Sequence, residues 1–312
     1  MLYNPAAGQG SSLRRLPTFE RTIARKGIPY ELVVTTSEEE LRLLARDAPE
    51  HYDRVIVAGG DTTFAIVVSE FLHRETKGIA LPPLGFAGMG SANDLCRGLG
   101  LDSLSTLCDA MHDNLTRRMS VGQVETEGDE RVLLFLSSMS LGLGVSVNRH
   151  IGRIFETYPW LARHRHLGQF LAGMAGVRRS LKRDDLPQTL TLAWNRNRRK
   201  MLYSLLVFLN TGTYANGIPL APDADAFDTR LVCAAVRTRT LGETLSFYRA
   251  AKKGRHLVRR EFEMVRASRF VFRSLTPVDI QLDGQIHEGI RGAEVSVLPR
   301  RLEVFVGRSK ME

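Results

Sequence analysis

Two glycines, an acid and two hydroxyl residues stand in a row at Gly59-Gly60-Asp61-Thr62-Thr63. They follow a β-branched run, Val55-Ile56-Val57-Ala58, and precede an apolar helical pattern, Phe64, Val67, Val68, Phe71 and Leu72. Glycines admit a ligand close to the backbone, and the free N–H groups and positive dipole end of a helix start favour an anion such as phosphate. An ordinary strand-to-helix turn, with Asp61 or Thr62 as N-cap, uses the same residue types. A second glycine-rich turn, Gly88-Met89-Gly90-Ser91-Ala92-Asn93-Asp94, closes the next strand-like run and has the same phosphate-type chemistry.

Such loops need a sheet to carry them. Leu2-Tyr3-Asn4-Pro5 reads as the end of a strand, and the loop Ala6 to Ser12 leads into a helix from about Leu13 to Lys26. Two apolar residues are few for a buried strand, so the natural start is expected upstream. Tyr30 to Thr35 predicts a strand, Ser37 to Ala48 a helix with acids in its first turn, Asp53 to Ala58 a strand, Thr63 to His73 a helix and Ile79 to Phe86 a strand. This alternation predicts an α/β domain with an open, mostly parallel sheet that binds ligands at the carboxyl ends of its strands.

After about residue 118 the pattern changes. Strand-like runs at Val121 to Glu125, Arg131 to Ser138, Leu190 to Ala193, Met201 to Leu209, Leu231 to Val236, Glu263 to Phe272 and Val278 to Leu282 predict a β-rich second domain with few helices. The domains expected are 1–118, 119–294 with a helical insertion at 147–183, and a segment 295–312 returning to the first domain. The insertion sets apolar Ile151, Ile154, Phe155, Tyr158, Trp160 and Leu161 among Arg149, Arg153, Arg163, Arg178, Arg179, Lys182 and Arg183. Such a segment suits an anionic membrane surface, and equally a core-facing helix with a solvated basic side.

Composition narrows the class. A content of 43% hydrophobic and 25% charged residues in 312 is that of a globular protein and argues against disorder. The net charge of +9 favours anionic partners without choosing among nucleic acid, an acidic membrane and phosphorylated small molecules. Cys96, Cys108 and Cys233 match no metal or disulfide spacing and read as reduced thiols of a cytosolic protein. The longest apolar stretch, Val132 to Val147, is broken by serines and glycines and is too short for a bilayer span.

Several chemistries are absent from the sequence. It contains no P-loop, no Gly-x-Gly-x-x-Gly after the first strand, no protein-kinase signature and no Gly-x-Ser-x-Gly elbow. His164 and His166 would point to different helix faces, which removes a zincin-type site. Nucleic-acid binding rests on charge alone, so no specific nucleic acid is expected.

Asn4-Pro5-Ala6-Ala7-Gly8, Gly59-Gly60-Asp61-Thr62-Thr63 and Gly90-Ser91-Ala92-Asn93-Asp94-Leu95-Cys96-Arg97-Gly98-Leu99-Gly100 resemble, in order and spacing, the diacylglycerol-kinase catalytic family, which includes bacterial lipid kinases and the sphingosine and ceramide kinases. Asn210-Thr211-Gly212, Gly217 to Ala224, Phe227-Asp228 and Leu282-Asp283-Gly284-Gln285 resemble that family's second-domain motifs, so the resemblance covers nearly the whole chain. It implies an α/β nucleotide domain, a β-sandwich-like second domain and a cleft between them. It implies ATP and Mg²⁺ as cofactors, and phosphates held by Asn4, Gly59, Gly60, Asp61, Thr62, Thr63, Gly90, Ser91 and Asn93. Asp283 matches the family aspartate that takes or orients the hydroxyl proton, and Asp223 and Asp228 match positions that hold a structural Mg²⁺ in bacterial relatives. The implied partners are a lipid with a free hydroxyl and, transiently, an anionic membrane. The implied localisation is cytoplasmic and peripheral to the membrane, and a homodimer is left open.

The chain also departs from the family pattern. Thr62 stands where a glycine is usual, which either supplies a hydroxyl donor or obstructs nucleotide. Ala65-Ile66 replaces Asn-Glu, Ser120 an aspartate, Thr229 the glycine after Asp228, and Gln285 a glutamate. These changes keep open a second reading, a non-catalytic lipid- or nucleotide-binding relative.

Overall fold

The computed structural model describes residues 1–8, 10–90, 92–128, 132–157, 165–182 and 186–311. Its first part alternates strand and helix: β1 (Leu2–Tyr3), α1 (Leu16–Arg25), β2 (Val33–Val34), α2 (Glu38–His51), β3 (Val55–Gly59), α3 (Asp61–Glu75), β4 (Leu84–Gly88), α4 (Asp94–Gly98) and α5 (Leu104–His112). The strands run parallel in the order β4-β3-β1-β2. Helix α2 packs on α3 and α1 on α5, so the strands lie between helices and have to be apolar on both faces. That is why Val55 to Ala58 are all buried. Phe64 and Phe86 meet at 4.9 Å between ring centroids and Tyr3 and Phe19 at 5.1 Å, locking helices to sheet. Each such buried side chain contributes about 1.5–3 kcal/mol.

Helix α2 starts as its sequence predicts: Ser37 accepts the Glu40 N–H at 3.1 Å, and Glu38, Glu39 and Glu40 occupy the first turn. The strand expected over Tyr30 to Thr35 shortens to Val33–Val34, because it pairs on one side only, with the two-residue β1.

The second part comprises β5 (Thr116–Thr126), β6 (Val132–Phe135), β7 (Ser138–Gly142), α6 (Leu143–Thr157), α7 (Arg165–Lys182), β8 (Gln188–Trp194), β9 (Asn197–Tyr203), β10 (Leu205–Leu209), β11 (Leu231–Val236), α8 (Leu241–Lys252), β12 (Phe262–Ala267), β13 (Arg269–Leu282) and β14 (Gln285–Phe305). Its strands pair antiparallel around a core holding Phe208, Phe270 and Phe272. The insertion forms two packed helices, α6 and α7; Tyr158, Trp160, Leu161, Arg163 and Arg183 lie outside the described residues.

Strand β14 was not legible in the sequence. It pairs with β13 and β5 along its length, shifts register between Leu298 and Leu302, and near its end sets Val304 parallel to Leu84 of β4. Arg300, at φ +51°, marks the bulge that bends the strand there. One continuous sheet path therefore links the parallel and antiparallel parts.

Candidate active site

The two glycine-rich turns touch. Met89 N–H donates to the Gly59 carbonyl at 2.7 Å, and a Cβ placed on Gly90 would lie 2.6 Å from the Gly60 Cα. A side chain at position 90 does not fit against the Gly60 backbone, whereas a Cβ on Gly60 would meet the Gly90 Cα at 3.3 Å, a tight contact. Gly60, not Asp61 or Thr62, is the N-cap of α3, and it offers no side-chain acceptor. The first N–H groups of α3 are thus free of a capping side chain beside the bare backbone of the two turns, an arrangement that suits phosphate oxygens. Asn93, in the left-handed region at φ +52°, donates to the Gly90 carbonyl at 3.2 Å and leaves its buried Oδ1 without a partner. Asn4 joins from β1: its Nδ2 donates to Thr63 Oγ1 at 2.9 Å and its Oδ1 accepts the Ala6 N–H at 3.0 Å. A polar orphan and a glycine cradle both fit a nucleotide. Ser91 lies outside the described residues.

Asp61 turns away from the role of cap. Its carboxylate accepts the Leu95 N–H at 3.3 Å at the start of α4, tying the two turns together. Burial, and then Asp94 nearby, push its carboxyl up to about 6. Asp94 makes a parallel tie to the second domain, accepting the Gly217 N–H at 2.7 Å and the Asn216 N–H at 3.1 Å. Sequence reading quoted Asp94 within its loop but gave it no role; its signal was an acid at a helix start, with partners more than a hundred residues away.

Asp283 comes to the same place from the far end of the chain. It sits at φ +45° in the tight β13–β14 turn, and Gly284 follows at φ +101°. Its Oδ1 accepts the Ser137 and Ser138 N–H groups at 3.1 and 3.0 Å, and its Oδ2 accepts the Leu136 N–H at 2.5 Å. These bonds leave one acceptor position on Oδ2. Burial drives the carboxyl up to about 7, against the lowering effect of the N–H donors and with a further push from Asp61. A carboxylate poised near neutrality suits a general base.

Thr62 closes the arrangement. Its hydroxyl donates to the Asp283 carbonyl at 2.9 Å. A Cβ on Gly284 would approach that hydroxyl to 3.1 Å, so glycine there permits the contact. The hydroxyl is therefore spent on the Asp283 turn. Asn148 of α6 holds the turn from the other side, donating to the Gly284 carbonyl at 2.9 Å.

Asp223 and Asp228 do not join this cluster, and their surroundings do not fit a structural Mg²⁺. The Asp228 carboxylate is paired with Arg230 at 3.1 Å and accepts the Thr229 N–H at 2.6 Å. Arg266 donates to the Asp223 carbonyl at 2.5 Å, and its charge joins that of Arg230 in lowering the Asp228 carboxyl. Two guanidinium groups occupy the electrostatic place of a cation. Ser120, where the family has an aspartate, donates its hydroxyl to the Asp228 carbonyl at 2.7 Å, a bond that a carboxylate could not make. Among the described residues no group of three or more His, Cys, Asp or Glu side chains converges as a metal site. As they stand, Asp228 is engaged by Arg230 and the Asp223 carbonyl by Arg266 in place of the expected metal.

The fold and site thus define a protein with a parallel α/β part and an antiparallel β-rich part, whose paired glycine-rich turns meet a buried carboxylate. Residues 1–124 match the diacylglycerol kinase catalytic domain, and residues 165–306 match the YegS C-terminal NAD kinase beta sandwich-like domain. The chain thus joins a segment similar to the diacylglycerol kinase catalytic domain to one similar to the YegS C-terminal domain. It is 26% identical over 310 residues to a diacylglycerol kinase of Staphylococcus haemolyticus, covering 97% of this chain and 86% of the relative. It is 26% identical to a diacylglycerol kinase of Mycobacterium tuberculosis, covering 97% and 93%. The fold matches the crystal structure of a diacylglycerol kinase from Bacillus anthracis at a TM-score of 0.67 and 15% identity, covering 99% of this chain and 96% of that one.

Proposed function

We propose that this chain is an ATP- and Mg²⁺-dependent lipid kinase that transfers the γ-phosphoryl group to a lipid hydroxyl of the diacylglycerol, ceramide or sphingoid type. The observation that carries the reading is the meeting of the Gly60–Gly90 cradle with the Asp283 turn through Thr62. In this reading the uncapped N–H groups of α3 and the glycine backbones hold the phosphates of MgATP, which enters as substrate. Phosphoryl transfer depends on positioning and charge neutralisation, and the metal carried with the nucleotide supplies positive charge against the oxygens. Asp283 takes the hydroxyl proton at the open position of Oδ2, while Leu136, Ser137 and Ser138 hold its orientation. Incubation with labelled ATP and a panel of diacylglycerol, ceramide, sphingoid base, monoacylglycerol and polyprenol tests it: label is expected in at least one lipid, and none in any would count against it.

The three N–H bonds on Asp283 also favour a second reading, in which that carboxylate is a structural anchor of a non-catalytic lipid- or nucleotide-binding protein. Tight ATP binding without turnover is the outcome expected of it.

Membrane docking through α6 and α7 forms part of the proposal. Among the described residues no helix is long and apolar enough to cross a membrane. Sedimentation with vesicles that does not respond to their anionic lipid content would remove this part.

A further inference from the structure

The second domain has a half-open groove of about 230 Å³ between α6, α7, β8 and β13. Three arginines line it, Arg149, Arg153 and Arg179. Its acid already has partners. The acid in its wall, Asp279, takes the Arg149 guanidinium on Oδ2 at 2.9 Å and the Gly289 N–H on Oδ1 at 3.1 Å. Gln188 accepts the Tyr203 hydroxyl at 3.1 Å on Oε1, which leaves its NH₂ as a donor. Arg149 is balanced by Asp279 and by Glu288 at 2.7 Å, whereas Arg153 and Arg179 have no carboxylate partner among the described residues. The Ser146 hydroxyl adds a donor, and buried Val145 and Val278 add apolar wall. A concave site with N–H and O–H donors, two guanidinium groups that have no carboxylate partner among the described residues and a partly apolar wall is suited to a tetrahedral oxyanion.

We propose that this cavity binds a phosphoryl group, borne by an anionic phospholipid headgroup or by a soluble phosphoester. Its residues are distinct from the glycine-rich turns, so the proposal stands whether or not the chain transfers phosphate. Arg153 and Arg179 supply the charge, and Gln188 and Ser146 supply the neutral donors.

The test uses calorimetry with inorganic phosphate and glycerol 3-phosphate, and flotation with vesicles of phosphatidic acid against phosphatidylcholine. The double variant Arg153→Gln, Arg179→Gln is compared with Arg196→Gln, Arg198→Gln, which removes the same charge from exposed positions outside the groove and outside α6 and α7. Loss of two charge-assisted contacts should weaken binding by about tenfold or more in the first pair and by less than about twofold in the second. Selective loss with vesicles identifies a lipid headgroup, and selective loss with the soluble ligands identifies a phosphoester. Binding that survives the cavity variant belongs to the glycine-rich turns and overturns the proposal. So does an equal loss in both variants, which would mean diffuse surface attraction, or no binding of any of the probes.

Discussion

At the scale of single residues, Thr62 and Asp283 carry the account. The glycine-to-threonine change adds a Cβ where backbone was expected against phosphate, and the structure shows its hydroxyl given to the Asp283 carbonyl at 2.9 Å. Thr62→Val keeps the shape and removes the bond, so kcat is expected to fall by about tenfold, the worth of one hydrogen bond, with the KM for ATP little changed. Thr62→Ser should restore most of the rate; a KM effect in place of a kcat effect would mean that Thr62 acts on nucleotide. The Asp283 carboxyl at about 7 predicts a pH profile: kcat/KM should rise as pH passes through about 7 and the base becomes ionised. Stability moves the other way. Asp61 and Asp283 have folded-state values of about 6 and about 7 against 3.8, so their stabilisation is complete below pH 3.8 and is lost as pH rises through those values. Melting followed across this window should show declining stability from these two groups.

At the scale of elements, the glycine-rich turns act as a pair. A Gly90→Ala Cβ would lie 2.6 Å from the Gly60 Cα, so the two loops have to part. Nucleotide affinity is expected to drop by on the order of tenfold while the sheet still melts cooperatively. Titration with ATP checks it, and unchanged affinity would mean that the cradle is not the phosphate site. The turn at Asp223 to Arg230 makes the opposite kind of prediction. With Arg230 on Asp228 and Arg266 on Asp223, removing divalent metal by EDTA should leave the melting temperature unaltered. These elements were legible to different degrees. The β3-turn-α3 stretch was readable because its chemistry is local: β-branched residues, then glycines, then an apolar helical period. The short β2 and the long β14 were not, because pairing partners set their lengths. Polar Arg291, Arg300 and Arg301 interrupt the alternation of β14, whose 21 residues bend through a bulge to serve two neighbours. Helix α8, at Leu241–Lys252, was also missed, although Thr240 accepts the Glu243 N–H as an N-cap. Its sequence carries a capping-type start that strand-like neighbours obscured. For the site, Asn4, Gly60, Gly90 and Asp283 were located through ordered motifs, whereas Asp94, Asn148 and the Leu136 to Ser138 loop serve it through contacts that only the folded chain creates.

At the scale of the whole molecule, the sheet is what makes the site possible. Strand β14 runs from the Asp283 turn, through the antiparallel strands, to Val304 beside Leu84, so one strand connects the candidate base with the sheet that carries the glycine-rich turns. Thr62 and Asp94 then fasten the two parts across the cleft. The central claim is that the turns and Asp283 form one reacting site with separable tasks. The most direct test measures ATP affinity and phosphoryl transfer to the lipid panel for the wild-type chain and for Asp283→Asn. The account predicts transfer by the wild type, a loss on the order of 10²–10⁴-fold in the variant, and retained ATP affinity. Transfer that persists in Asp283→Asn, or a folded wild type that binds ATP and labels no lipid, would contradict it.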